Sequence, residues 1–259
     1  MINVACLMIC LPVAERFAFF QQSVSDYRMQ TYPHKTLIVV LDGRGVEGRR
    51  RVCDHLATLE DPSIRVIAPE GDLTLGALRN VSFEAAVAAV VCQWDDDDRS
   101  HPRRIETQLS ALVEGDCDAV FLQDVMQYFP RSNVLRWINW RATPAGGHPG
   151  TLMARRSVTP RYPVTGDNAQ RGEDLVLAQA LLERGRVGYV GEQPHLYLYA
   201  SHGANTWSDD HHQMLSRELS ISRGLLRRRE LEIRRGLEPF CFEPGKIEVA
   251  GSNGCAFVL

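Results

Sequence analysis

A chain of 259 residues with 44% hydrophobic side chains is long enough for one large α/β domain or two small ones, and it can bury a real core. Its net charge of -3 gives no overall pull toward nucleic acid or anionic lipid. The seven cysteines are odd in number and scattered without metal or redox spacing, which argues against a disulfide framework and favours a cytoplasmic chain with reduced thiols.

In chain order, residues 4–11 are a continuous apolar run closed by Pro12, the mark of a strand buried on both faces. This opening is too short to span a bilayer and lacks the basic start of a signal peptide, so a first strand is expected there. Phe17, Phe20, Val24 and Tyr27 recur at helical spacing before Tyr32-Pro33. Residues 36–41 predict a second buried strand, which delivers Asp42 to a turn. Residues 49–59 predict a helix, 64–68 a short strand and 75–88 another helix. This alternation implies a mostly parallel sheet with helices on both faces. Residues 88–94 are the next apolar run, and it stops in Asp95-Asp96-Asp97-Asp98.

Beyond it, Pro102 suits the first position of a helix with Ile105, Leu109 and Leu112 as its buried stripe. Residues 119–129 predict one strand and 151–154 another. Between them Trp137 and Trp140 stand close together, ahead of a Gly-rich loop that holds His148. Gly172-Glu173-Asp174 opens a helix with Leu175, Ala178, Leu181 and Leu182 on its apolar face, and carboxylates in a first turn suit the helix dipole. Strands are expected at 187–190 and 196–200, then one long Arg-rich helix over 208–235 and a tail of weak pattern. No repeat or linker forces a second domain.

The C-terminal ends of strands are where open α/β sheets bind ligands. Four carboxylates emerging together repel one another unless a cation sits among them, and a divalent ion carrying a phosphorylated ligand meets that need. Asp42 lies at the same sheet edge, so the two strand ends suit a nucleotide. An EF-hand reading would use Asp95, Asp97 and Glu106, but Arg99 and Ser100 stand where that loop needs an oxygen ligand and a glycine.

Pro12-Val13-Ala14-Glu15-Arg16, Gln30-Thr31-Tyr32-Pro33, Leu41-Asp42-Gly43, Gly76-Ala77-Leu78-Arg79-Asn80, Trp94-Asp95-Asp96-Asp97-Asp98 and Gly172-Glu173-Asp174 occur in this order. In order and approximate spacing they resemble the inverting family-two glycosyltransferases of GT-A fold. The resemblance implies a Rossmann-like, mostly parallel central sheet with a C-terminal helical segment. The catalytic domain is expected over 1–207, with a nucleotide-sugar half over 1–115 and an acceptor half over 116–207, followed by an extension over 208–259.

By the same resemblance, Pro12, Val13 and Glu15 belong to the loop that meets the nucleotide, Asp42 contacts the base and Arg79 is a further donor contact. Asp95 and Asp97 match the Asp-x-Asp pattern, with Asp96 beside the donor and Asp98 as the metal ligand if the register shifts by one. Asp174, with Glu173, matches the catalytic base, and His202 stands where many such enzymes place a late metal-ligating histidine. The family's usual second carboxylate before Asp42 and its Thr-Tyr-Asn-like triplet are replaced here by Leu41 and Val13-Ala14-Glu15. The implied reaction transfers a sugar from a nucleotide-sugar, a UDP-sugar ahead of GDP- or dTDP-sugars, to a glycan, lipid-linked or peptide acceptor, with Mn²⁺ or Mg²⁺ on the diphosphate.

The chemistry agrees with these residue types. Carboxylates suit a hard cation, an imidazole tilts the preference toward Mn²⁺, and a carboxylate can take the proton of an acceptor hydroxyl. Trp137, Trp140 and His148 are the acceptor-site candidates, with plain core packing the competing reading for the tryptophans. The Arg-rich segment is either a solvated surface helix or a peripheral contact with the cytoplasmic face of a membrane. Two rival functions stand: a non-catalytic sugar- or nucleotide-binding module of the same fold, and a sugar nucleotidyltransferase. The latter lacks support because Leu11-Pro12-Val13-Ala14 is no Gly-rich triphosphate loop.

Overall fold

The computed structural model describes residues 1–259. The first half runs β1 (Val4–Cys10), α1 (Phe17–Arg28), β2 (Lys35–Leu41), α2 (Val46–Thr58), β3 (Ile64–Ile67), α3 (Leu75–Ala85) and β4 (Val90–Gln93). The second half adds β5 (Arg99–Ser100), α4 (Arg104–Glu114), β6 (Ala119–Leu122), β7 (Asp124–Phe129), β8 (Val134–Asn139), β9 (Met153–Arg155), α5 (Glu173–Arg184), β10 (Val187–Val190) and β11 (Tyr197–Ala200). It closes with α6 (Asp209–Leu219), α7 (Arg223–Arg228), α8 (Glu230–Leu237), β12 (Glu248–Gly251) and β13 (Gly254–Val258).

Seven strands form the main sheet in the order β10-β6-β9-β4-β1-β2-β3. Only β9 runs antiparallel to its neighbours, so the expected mostly parallel sheet is present. β1 is buried along its whole length because both its faces are covered. Val4, Cys6, Met8 and Cys10 pack with Phe20, Val24 and Tyr27 of α1 on one side. Ala5, Leu7 and Ile9 pack with Leu78 of α3 and Leu177 and Leu181 of α5 on the other. That two-sided burial turns the period-two pattern of a strand into an unbroken apolar run.

A second sheet, β13-β12-β8-β7-β11-β5, corrects several expectations. The apolar run 119–129 is two strands, not one: the chain leaves the main sheet at Gln123 and enters the second as β7. Trp137 lies in β8, within a stretch where no strand is expected from the sequence. The helix after Pro102 starts at Arg104, and Pro102 instead accepts a hydrogen bond from the Thr31 N–H. The single Arg-rich helix is three, broken around Ser220–Ser222 and at Arg229. The tail forms the β12-β13 hairpin, with β12 parallel to β8. Leu226, Ile233, Leu237, Val249 and Phe257 share one apolar cluster with Met126, Trp137 and Leu198, so α7 and α8 pack on the second sheet that β12 and β13 extend. All seven cysteines are free, four of them buried, and no helix is long and apolar enough to cross a membrane.

Candidate active site

The acidic run leaves β4 and is clamped by α1. Ser23 Oγ donates to the Asp95 carbonyl at 2.8 Å, and Trp94 Nε1 donates to the Ser23 carbonyl. Asp26 then accepts two bonds from Arg99 and one from the Ser100 N–H. Held at both ends, the four carboxylates cannot spread, and each is turned in its own direction.

Asp95 points toward Arg79, 3.3 Å away, and toward Gln93 Nε2 and Tyr197 Oη. Asp96 accepts from the Leu11 N–H and from Arg16. Asp97 is 2.7 Å from the same guanidinium and 3.0 Å from His202 Nε2. Asp98 is committed to the Tyr197 hydroxyl and, at 2.8 Å, the Ala200 N–H. Both its oxygens are thereby engaged and tie the acidic run to β11, so among the metal candidates its lone pairs are already taken. Burial and the neighbouring Asp97 and Asp95 push the Asp98 carboxyl well above the ordinary range.

Arg16, the last residue of the Pro12 motif, is the cation paired with Asp96 and Asp97. Burial raises the Asp96 carboxyl to about 6, with Asp97 and Asp95 adding to the rise and Arg16 opposing it. For Asp97 burial also works upward, but Arg16 and the His202 hydrogen bond outweigh it and hold the group below its ordinary value. A second cation lies beneath the run. Arg104 is fully buried between the Trp94 and Tyr197 rings and donates to the Gln93 carbonyl at 2.8 Å.

No three His, Cys, Asp or Glu side chains converge on one point. Mg²⁺ and related ions commonly rest on one or two carboxylates plus substrate phosphates, and Asp97 with His202 supplies such a pair. The His202 ring is stacked on Phe19 at 4.5 Å, and a cleft of about 400 Å³ beside it is lined by Glu15, Phe19, Arg131 and His202. The donor set fits a divalent ion held jointly with a diphosphate.

Glu173 and Asp174 come to the same crevice through Arg79. Its Nε donates to Glu173 at 2.8 Å while Nη2 faces Asp95. Glu173 is thus buried on Arg79 and engaged by it, whereas Asp174 beside it is only half-buried. Gly172 takes φ +77° at the start of α5, a conformation natural to glycine. Asp174 spends one oxygen on the Leu175 N–H at 2.8 Å, and its other oxygen makes no hydrogen bond. Burial, then repulsion from Glu173 and Asp95, lift its carboxyl to about 6 against the pull of Arg79.

Asp42 ends β2 as expected, but both its oxygens are engaged by Arg44, so a base would compete with that guanidinium. Pro12 is buried against α2, with Val13 half-buried beside it and Glu15 exposed. A Cβ on Gly48 would stand 1.9 Å from the Pro12 carbonyl oxygen. In an open helix Gly→Ala is favourable by about 1 kcal/mol, so Gly48→Ala separates the two effects. It is expected to lower stability by roughly 1–3 kcal/mol through overpacking, read as a drop in melting temperature; an unchanged or higher value would show that the loop yields.

Of the acceptor candidates, Trp137 is corrected. It is buried in the second sheet and donates from Nε1 to Asp124 at 2.6 Å, leaving no face for a sugar. Trp140 and His148 do meet, edge to face at 4.7 Å, and His148 borders Tyr199 at 5.2 Å. A Cβ on Gly150 would touch both His148 and Asp95, which puts this aromatic group beside the acidic run. Burial, then Arg104, depress the His148 imidazole to about 3, so the ring is neutral.

The sequence model of a family described as Glycosyl transferase family 2 matches residues 8–159, a stretch that includes Pro12, Asp42, Arg79 and the acidic run. No curated protein matches the chain. Among solved structures, S. aureus TarS 1-349 superposes with TM-score 0.60 at 12% identity, covering 77% of this chain and 60% of that one. The same protein in complex with UDP-GlcNAc gives 0.61 at 12% identity, over 78% and 60%. Its complex with UDP gives 0.60 at 12% identity, over 93% and 75%. The chain thus spans about three fifths of the length of the first two.

Proposed function

Because the chain belongs to glycosyl transferase family 2 and has the GT-A fold, we propose that it moves a sugar from a nucleotide-diphosphate sugar to an acceptor hydroxyl with inversion. One observation carries this reading: Arg79 joins Asp95 to Glu173, which brings the half-free carboxylate of Asp174 to the acidic strand end. The acceptor oxygen forms its bond to the anomeric carbon as the bond to phosphate breaks, the electron pair leaving with the diphosphate. Asp174 takes the hydroxyl proton. With one base and no carboxylate nucleophile, attack comes from the face opposite the leaving group.

Asp97 and His202 would hold the divalent ion. When bound, that ion stabilises charge on the departing diphosphate as a Lewis acid. Glu173 keeps Arg79 in place, and Arg79 in turn orients Asp95. TarS is seen with UDP and UDP-GlcNAc, so a uridine donor is the first to test. UDP with Mn²⁺ is expected to raise the melting temperature by mass action, whereas GDP, dTDP or CDP raise it less. No shift with any of the four, metal present, would overturn the donor reading.

A further inference from the structure

A second cavity lies at the other end of β11 from His202. It has a volume of about 520 Å³, and four arginines, Arg103, Arg228, Arg229 and Arg235, line it against a single carboxylate, Glu232. In the acidic cluster Arg16 and Arg79 are both paired with carboxylates, but here two surface arginines are not. Arg103 and Arg229 have Glu106, Glu232 and Glu192 as partners, while Arg228 and Arg235 have no carboxylate within 4.0 Å. His101 and His195 complete the wall, their rings edge to face at 5.0 Å. Burial, then the charge of His195 and of Arg103, depress His101 to about 4; burial also lowers His195. The imidazoles are therefore neutral hydrogen-bonding groups in a wall whose charge comes from guanidinium.

Like charges gathered around one concavity repel, and they cost folding energy that an anionic occupant offsets. Guanidinium presents paired N–H groups that match the oxygens of phosphate, and several converging on one point favour a multiply charged anion over a single carboxylate. Arg103 stands at the N-cap of α4 and Thr107 in its first turn, so the positive end of that helix dipole adds to the wall. Leu231, 73% exposed, stands on the same wall, so the arginines have an apolar neighbour at the surface.

We propose that this cavity is a binding site for a phosphoryl-bearing anion, separate from the acidic site. Its ligand is either a soluble phosphate compound or the headgroup of an anionic lipid. The full chain is titrated with inorganic pyrophosphate in EDTA, which removes metal-assisted binding at Asp97. In parallel it is floated with phosphatidylcholine vesicles with and without roughly one-third phosphatidylglycerol. The double variant R228E/R235E changes exposed residues only, and R50E, on the exposed face of α2, reports general surface charge. Binding that R228E/R235E weakens roughly ten-fold or more, and R50E leaves alone, supports the site. Pyrophosphate alone identifies a soluble ligand, and capture only by the phosphatidylglycerol vesicles identifies a lipid headgroup. Binding of neither probe, or equal losses in R228E/R235E and R50E, would overturn it. The uridine thermal shift is expected to persist in R228E/R235E, so this site and the donor site fail independently.

Discussion

Replacing Asp174 by asparagine is expected to lower turnover roughly a thousand-fold, the span ordinarily supplied by a general base, while the protein becomes more heat-stable at neutral pH. Both effects come from the same crowding. Burial, Glu173 and Asp95 lift the Asp174 carboxyl to about 6, so the fold favours its protonated form. A carboxyl raised in this way adds stability as pH falls through about 6 toward its unfolded value near 3.9, and its ionised form costs stability above that window. Asparagine removes the charge and with it the repulsion, and the pH dependence of stability across that window shrinks. Catalysis has the opposite sign: the base must be ionised, so kcat at saturating donor holds level above pH 6 and falls about ten-fold per unit below it. Saturation matters because Asp96 also titrates near 6 and would act on donor affinity. Product assays, melting curves and donor titration of the one variant check all three. A variant that turned over normally would place the base elsewhere; one that lost donor binding as well would make Asp174 a donor contact.

The main sheet is legible in the sequence because its chemistry is redundant. β1 and β2 are apolar on both faces, and so short an unbroken apolar run fits little besides a buried strand. The second sheet carries no such signal. β5 has two residues, and the passage from β6 to β7 is marked only by Gln123, with no glycine or proline at the switch. The breaks in the Arg-rich segment do leave a trace: Ser208 and Ser222 each cap a helix through the side chain, and serine ahead of an apolar stripe is a start signal. In the site, position along the chain locates the acidic run but not the direction of each carboxylate. That direction is set by partners elsewhere in the chain: Arg79 for Asp95, Arg16 for Asp96, Arg16 and His202 for Asp97, and Tyr197 and Ala200 for Asp98. Sequence cannot tell Asp98 from Asp97 for that reason, nor Trp137 from Trp140.

Arg16 marks the limit of sequence reading most sharply, and its removal is the second large effect expected. Its guanidinium lies against Asp96 and Asp97, and all three side chains are largely shielded from water. Taking away one member of such a cluster leaves buried charge without a partner and costs about 3 kcal/mol, a fall of roughly 6–12 °C in melting temperature for a chain of this size. The loss depends on pH in a definite sense. Asp97 is held below its ordinary value partly by Arg16, so its contribution is present at neutral pH and fades as acid protonates it. The deficit of Arg16→Ala is therefore largest above pH 6 and shrinks below about pH 4. A divalent cation can replace the missing charge, so Mn²⁺ raises the melting temperature of Arg16→Ala more than that of the unsubstituted chain, where Arg16 competes for the same carboxylates. Melting curves of both proteins in EDTA and in Mn²⁺ decide the matter. An equal response to Mn²⁺ would remove Arg16 as the competitor. No response in either would mean that Asp97 and His202 do not hold a cation, and that Arg16 itself is the charge the acidic run was built around.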